Sequence, residues 1–236
     1  MVDAACSVED IEFIGGGHRS LVGRVVRPRR AQPFLNGILF VHGLHSSQQG
    51  YSRRADIVAR SLNCVCLTFD LSGHGRSSGD LWDLTPVDHL ADLAAAHHEL
   101  RRHTDTENER IGVCAASYGA YLAAFLTSTQ PVCRLLLRAP ALYPDSLLRT
   151  TWANPRSSRS DAIAPELANA LRRYPGDVFV LESENDDVIP HAVIDWYMNA
   201  HPNARHKILR GAGHAIAGED QEHAFMEHIV SFFKGM

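Results

Sequence analysis

One serine of this chain is flanked by small residues in the segment Ala-Ala-Ser-Tyr-Gly (115–119). An apolar run precedes the segment and an Ala- and Leu-rich run follows it. Small residues two positions before and after Ser117 suit a sharp, strained turn between a strand and a helix, which lifts the serine oxygen above a sheet. Ala115 replaces the first glycine of the common G-x-S-x-G pattern. The segment predicts that Ser117 is a nucleophile, which requires a base to take its proton.

Fourteen histidines could supply that base. His214 lies in Gly-Ala-Gly-His-Ala (211–215), in a predicted loop after the last strand and before the last helix. Open α/β sheets place their ligand sites in such loops, so we predict that His214 is the base. We interpret His97, His98 and His103 as solvated side chains on a polar helix face. The histidines form no H-x-x-x-H or H-E-x-x-H pattern, so we expect no metal site and no cofactor.

The base in turn needs a carboxylate that fixes its tautomer and stabilises the imidazolium. Four carboxylates fall within six residues, directly after the buried run at 178–181: Glu182, Glu184, Asp186 and Asp187. Such a run is also typical of a solvated loop. Its place after a strand and before the histidine loop favours a catalytic acid, and either aspartate could serve.

An acyl-transfer intermediate needs N–H donors for its oxyanion. One donor is expected from the backbone of Tyr118, the residue after the nucleophile. The other is expected from the loop His-Gly-Leu-His-Ser-Ser (42–47), which follows an apolar run ending at Val41. Because Gly43 permits a bend there, we assign the second oxyanion-hole donor to the backbone of Leu44.

These residues need strands and helices that bring them together. The sequence predicts strands near residues 11–14, 21–26, 37–41, 64–69, 110–115, 132–137, 178–181 and 206–210. It predicts helices near 51–62, 85–103, 119–127, 190–200 and 219–234, the second with Thr85 as N-cap and Pro86 at its first position. The alternation predicts one α/β domain over residues 1–236, with a mostly parallel sheet between two layers of helices and an N-terminal hairpin.

Residues 141–175 interrupt this alternation, and we predict that they form a lid over Ser117 that controls substrate choice. A solvated helical insert is the alternative. The apolar residues expected to line the cleft are Leu142, Leu147, Leu148 and Trp152. The arginines expected on the outer face are Arg149, Arg156, Arg159, Arg172 and Arg173.

Five motifs occur in the order found in the α/β-hydrolase superfamily: His42-Gly43, residues 70–77 (Asp-Leu-Ser-Gly-His-Gly-Arg-Ser), the serine segment, Asp-Asp-Val-Ile-Pro (186–190) and Gly-Ala-Gly-His (211–214). From about residue 20 onward the chain resembles serine hydrolases of that superfamily, in particular small bacterial carboxylesterases of the cinnamoyl/feruloyl-esterase type. The resemblance implies that Asp186 rather than Asp187 is the acid. It ties Asp70 and His74 to loop structure. Ser183 departs from the glycine usual before the acid, and the lid is shorter than in cinnamoyl esterases.

The expected function is cleavage of carboxylic esters through an acyl-serine, with a small-molecule ester as partner. Thioesterase, amidase or acyltransferase activity would use the same triad, and a non-catalytic ligand-binding protein could share the scaffold. Monomer and homodimer both stay open.

Composition indicates which partners and which cellular location to expect. The formal net charge of −4, from 23 basic and 27 acidic residues, argues against nucleic-acid binding. No apolar run approaches the roughly 20 residues that span a bilayer, and the N-terminus lacks the apolar region of a signal peptide. Five irregularly spaced cysteines predict reduced thiols and a cytoplasmic location.

Overall fold

A computed structural model describes residues 6–29, 36–104, 110–154 and 164–236. Its strands are β1 (Cys6–Ile14), β2 (Ser20–Pro28), β3 (Gly37–Val41), β4 (Val65–Phe69), β5 (Ile111–Ala116), β6 (Arg134–Arg138), β7 (Asp177–Ser183) and β8 (Arg205–Leu209). They form one sheet in the order β1-β2-β4-β3-β5-β6-β7-β8. The pairs β1–β2 and β2–β4 are antiparallel, and every other pair is parallel. The predicted hairpin and mostly parallel sheet are confirmed.

Within the described ranges, six α-helices cover the two faces of this sheet: α1 (Ser52–Leu62), α2 (Pro86–His103), α3 (Tyr118–Leu126), α4 (Pro165–Arg173), α5 (His191–Ala200) and α6 (Glu219–Phe233). All residues of β3, β4 and β5 are buried, as their continuous apolar sequences require. Residues of α2 to α5 share one core cluster with the sheet, and residues of α1 and α6 share the other. Two helical layers on one mostly parallel sheet are the predicted α/β-hydrolase fold.

The start of α2 follows the sequence prediction in detail. The Thr85 hydroxyl accepts from the Asp88 N–H at 3.2 Å, and the Asp88 carboxylate accepts from the Thr85 N–H at 3.0 Å. Such caps contribute about 1 kcal/mol each. The interpretation of His97 on the same helix is wrong. It is fully buried with Nε2 2.9 Å from the Pro131 carbonyl oxygen, whereas His98 is exposed.

The described part of segment 141–175 is packed more closely than an open lid. Leu148 is buried in the core cluster that Leu142 and Trp152 contact. The Trp152 ring meets the Tyr118 ring edge to face at 5.3 Å between centroids. These apolar side chains therefore contribute to the core beside Ser117, rather than only lining a cleft.

The arginines of this segment were predicted to lie on its outer face, and three of the five are within the described residues. Arg149, Arg172 and Arg173 are exposed as predicted. Arg156 and Arg159 lie outside the described residues. Within the part of the chain that the structure describes, no helix is long and apolar enough to cross a membrane.

Candidate active site

Ser117 occupies the junction between β5 and α3. Its φ of 53° and ψ of −122° lie outside the regions that residues with a side chain usually adopt. Such strain costs on the order of 1–3 kcal/mol and persists only where the surroundings hold it. Here the Ser117 N–H donates to the Arg138 carbonyl at 2.9 Å, and the Ser117 carbonyl accepts from the Ala141 N–H at 3.1 Å. The sharp, strained turn predicted from the small residues is present.

Gly119 explains why this turn needs a small residue after the serine. A Cβ atom at position 119 would lie 2.4 Å from the His42 carbonyl oxygen and 2.8 Å from that of Val41. Any side chain there would push α3 away from the end of β3. The Ala115 methyl, by contrast, is buried in the core without disturbing the turn.

The three predicted triad residues meet at the carboxyl end of the sheet. His214 Nε2 lies 3.1 Å from Ser117 Oγ, and His214 Nδ1 lies 3.0 Å from both carboxylate oxygens of Asp186. The Asp186 side chain is 4% exposed and that of His214 is 25% exposed. A carboxylate can only accept, so Nδ1 carries the proton and Nε2 is free to accept from the serine hydroxyl.

The structure separates the neighbouring carboxylates that the sequence left open. Asp186 also accepts from the N–H groups of Val188 at 2.9 Å and Ile189 at 2.8 Å, which fixes its carboxylate beneath His214. Asp187 is exposed. Glu182 pairs with His191 and His206, and Glu184 pairs with Arg210. Asp186 alone of the four contacts the predicted base.

The loop after β3 lies against the nucleophile. A Cβ atom at Gly43 would be 3.2 Å from Ser117 Cβ, so the backbone of this loop passes directly beside the serine. Tyr118 is the first residue of α3, and N–H groups in the first turn of a helix have no partner within the helix. Of the two predicted donor residues, Tyr118 follows Ser117 in the chain and Leu44 follows Gly43, which is packed beside the serine.

His42 holds the peptide group that carries the Leu44 N–H. The Leu71 N–H donates to His42 Nε2 at 3.1 Å, so the proton of the neutral ring is on Nδ1, which donates to the Gly43 carbonyl at 2.7 Å. The Ser46 N–H lies 3.3 Å from the same oxygen. Because the C=O and N–H of a trans peptide point in opposite directions, these bonds turn the Leu44 N–H away from the His42 ring.

His74 and His89 complete what we call the histidine cluster: His42, His74 and His89. The Ser72 carbonyl accepts from His74 Nδ1 at 3.0 Å and from His89 Nε2 at 3.1 Å. The second nitrogen of His74 accepts from the His45 N–H at 3.3 Å, and that of His89 accepts from the Tyr118 hydroxyl at 2.8 Å.

Burial lowers the pKa of His42 and of His89 to about 4 and also lowers the pKa of His74, so all three rings are neutral at pH 7. This cluster is not recognisable from the sequence. Only His42-Gly43 and the Gly-His-Gly turn stand out there as motifs, because His89 joins the cluster through the folding of α2. As expected, Asp70 serves loop structure and accepts from the N–H groups of Gln48 and Arg76. Among the described residues, no group of three His, Cys, Asp or Glu side chains could hold a metal ion.

The sheet, the strained serine turn and the order of its flanking loops define an α/β-hydrolase. The chain belongs to the serine aminopeptidase S33 family, whose model matches residues 35–170, more than half of the sequence. No curated protein matches the chain.

Solved structures share the same fold at low sequence identity. A predicted CIB-like hydrolase from Thermoplasma acidophilum has a TM-score of 0.72 and 18% identity, over 98% of this chain and 100% of that one. The Pyrococcus furiosus esterase Pf2001 has a TM-score of 0.74 and 16% identity, over 96% and 90%. Est1E from Butyrivibrio proteoclasticus, with ferulic acid bound, has a TM-score of 0.74 and 16% identity, over 94% and 97%. The resemblance to α/β-hydrolases, esterases among them, is confirmed.

Proposed function

We propose that this hydrolase cleaves carboxylic esters through an acyl-serine intermediate. Ser117 is the nucleophile, His214 the general base and Asp186 the acid that orients the base. The observation that carries the proposal is the continuous hydrogen-bonded chain from the Asp186 carboxylate through His214 to Ser117 Oγ, at 3.0 and 3.1 Å. A protein that only bound a ligand would have no need of this arrangement.

In the acylation step, Ser117 Oγ forms a bond to the ester carbonyl carbon while His214 Nε2 takes the hydroxyl proton. The tetrahedral intermediate then collapses, the bond to the alcohol oxygen breaks, and His214 returns the proton to the leaving alcohol. In deacylation a water molecule repeats the sequence against the acyl-serine, which releases the carboxylic acid. Asp186 keeps the Nδ1 proton in place and stabilises the imidazolium in both steps.

The oxyanion of each intermediate is assigned to the N–H groups of Leu44 and Tyr118. Removing one such donor typically costs about 10² to 10³ in kcat, because a preorganised dipole is lost where charge develops. Support comes from the backbone of Gly43 packed beside Ser117 and from the bonds that fix the Gly43 carbonyl.

Carboxylic esters are proposed as the substrate class because the fold is shared with the esterase Pf2001 and with Est1E. Ferulic acid is bound to Est1E, so aryl-propenoyl esters belong in a substrate panel beside aliphatic esters of graded length. The rings of Tyr143 and Trp152 pack against the buried ring of Tyr118, the residue after the proposed nucleophile.

A second candidate is cleavage of amide bonds, favoured by the description of the family as serine aminopeptidases. The same three residues would act, with His214 protonating a leaving amine in place of an alcohol. Amino-acid anilides in the panel separate the two functions, since an ester hydrolase turns them over far more slowly than the matching esters.

The test uses the wild-type chain, Ser117→Ala and the control Ser128→Ala, whose serine is exposed in the turn that follows α3. A fluorophosphonate should label the wild type and the control once, at Ser117, and leave Ser117→Ala unlabelled. Ester turnover should fall by about four or more orders of magnitude in Ser117→Ala alone. An unlabelled, inactive wild type would support the ligand-binding alternative.

We also place the protein in the cytoplasm. The five cysteines are free thiols, and Cys64 Sγ and Cys66 Sγ lie 3.8 Å apart without a bond, as a reducing compartment favours. Detection of the native protein in fractionated source cells tests this assignment. Its recovery outside the cytoplasmic fraction would refute it.

A further inference from the structure

Arg138 is a buried cation at the end of β6, next to the candidate active site. Only 6% of the residue is exposed. One guanidinium nitrogen donates to the Ser183 hydroxyl at 3.3 Å, and the other terminal nitrogen donates to the His214 carbonyl. Both acceptors are uncharged oxygens, and burial lowers the pKa of the guanidinium. Burying a charge in this way is unfavourable, and an apolar residue would satisfy the packing of the strand at lower cost.

The same residue reaches the nucleophile through its backbone. The Arg138 carbonyl accepts from the Ser117 N–H at 2.9 Å and so supports the strained serine turn. Ser183 ends β7, and its carbonyl lies 3.3 Å from the Asp186 N–H, which makes it the start of the acid loop. Arg138 is thus bonded directly to Ser117, to His214, and to the residue from which the Asp186 loop departs.

We propose that Arg138 is a positioning residue that holds the loops carrying Ser117, Asp186 and His214 in one register. The inference rests on the proposed function. Arg138 touches none of the reacting atoms and acts through the backbone of the base and the start of the acid loop. Its role is to keep the 3.1 Å approach of His214 Nε2 to Ser117 Oγ, because a displacement of about 1 Å in such a contact can cost about 100-fold in rate.

Ser183 is the side-chain partner of Arg138 at the start of the acid loop. Glycine would offer no side-chain acceptor, whereas the buried Ser183 hydroxyl takes one of the Arg138 hydrogen bonds. The arginine and the serine therefore form a pair, and the loss of either should affect the same step of the reaction.

Arg134 supplies the matched control because it begins the strand that Arg138 ends. Its guanidinium also donates to backbone carbonyls, those of Phe232 at 2.6 Å and Lys234 at 2.9 Å, at the opposite end of the sheet from Ser117. The variants Arg138→Met and Arg134→Met each remove a guanidinium and keep an apolar stem. Arg138→Lys keeps a charge, but one ammonium cannot reproduce the two arms of the guanidinium.

The readouts are kcat and KM on a chromogenic ester, the rate at which a fluorophosphonate labels Ser117, and the thermal unfolding midpoint. In Arg138→Met we expect kcat and the labelling rate to fall about 100-fold with KM changed less than about threefold. Arg138→Lys should recover part of the loss. Arg134→Met should lower the unfolding midpoint while its kcat stays within about threefold of wild type. A folded Arg138→Met with wild-type kcat and labelling rate would overturn the inference.

Ser183→Ala keeps the test decisive if Arg138→Met does not fold. It removes one acceptor only, and we expect kcat to fall about tenfold, together with a shift of the downfield NMR signal of the His214 Nδ1 proton. An unchanged kcat and an unmoved signal would contradict the proposal. If the proposed function itself is wrong, the outcome is distinguishable, because the fluorophosphonate would then not label Ser117 in the wild type.

Discussion

His214 and the histidine cluster use the same imidazole side chain in two regions of the molecule with different environments. His214 lies on a loop with a quarter of its side chain exposed, and its two nitrogens face a carboxylate and a serine hydroxyl. The cluster residues His42, His74 and His89 are buried and bonded mainly to backbone groups. A ring with reactive partners can gain and lose a proton during a reaction, whereas a buried ring bonded to backbone serves best when it stays neutral.

The difference shows that partners and burial, rather than residue type, decide what a histidine does. Desolvation lowers the pKa of His42 and His89 to about 4, which keeps one nitrogen of each ring as an acceptor at neutral pH. The cluster thereby ties the loop before Leu44 and the Tyr118 hydroxyl to the same segment, Leu71 to His74. Two regions with different hydrogen-bond partners thus support one proposed reaction.

The largest expected loss of kcat follows from removing the carboxylate that contacts His214. Asp186→Asn removes the acceptor that keeps the Nδ1 proton in place, so the ring can adopt the wrong tautomer. We expect kcat for ester hydrolysis to fall about 10⁴-fold. Asp187→Asn is the matched control, because Asp187 is exposed, and it should change kcat by less than about threefold. Equal losses in the two variants would place the acid elsewhere.

A smaller effect tests the cluster through His42. In His42→Asn the amide nitrogen can replace Nδ1 and still donate to the Gly43 carbonyl. In His42→Gln the amide oxygen can replace Nε2 and accept from the Leu71 N–H, but the donor to Gly43 is lost. If His42 orients the Leu44 peptide, His42→Gln should lower kcat about 100-fold and His42→Asn less than about tenfold.

Comparable kcat values for these two variants would show that His42 only stabilises the fold. Thermal unfolding of both provides the control, since each loses one buried hydrogen bond, worth about 1 kcal/mol. Their unfolding midpoints should therefore be similar while their rates differ.

The effect that is smallest per step, about tenfold in the unfolding equilibrium for each pH unit, concerns stability against acid. The unfolded chain protonates histidine near pH 6.5, whereas His42 and His89 in the fold resist protonation down to about pH 4. Between these values the unfolded state binds more protons, so the free energy of unfolding should fall as the pH falls from 6.5 towards 4. Each histidine contributes about 1.4 kcal/mol per pH unit over that range.

Urea unfolding at several pH values measures this slope. His89→Gln should make it shallower by about one proton, while His223→Gln should leave it unchanged, because that side chain is 78% exposed. An identical slope in wild type and His89→Gln would mean that His89 is not held neutral by the fold.

The sequence alone predicts the fold class and singles out Ser117 and His214 as candidates for nucleophile and base. Continuous apolar runs such as Gly37–Val41 predict strands buried on both faces, and small residues around Ser117 predict the strained turn. Both signals are local, because they depend on neighbours within a few residues along the chain. The predicted strands and helices are present with shifted bounds, most of all at the start of β1, but α4 was not predicted because it lies inside the segment interpreted as a lid.

Tertiary structure decided the rest. The choice of Asp186 over Asp187 needed a resemblance at the sequence level, and its physical basis is the pair of N–H donors that turn its carboxylate towards His214. His97 reads as a polar surface residue in sequence but is buried where α2 packs near Pro131. The histidine cluster and Arg138 form no recognisable sequence pattern. Apart from contacts between near neighbours in the loops, their hydrogen-bond partners lie 17 to 76 residues away along the chain. The spacing of residue types within a segment indicates the backbone conformation that the segment prefers. A hydrogen bond between distant segments forms only after the sheet has brought their ends together.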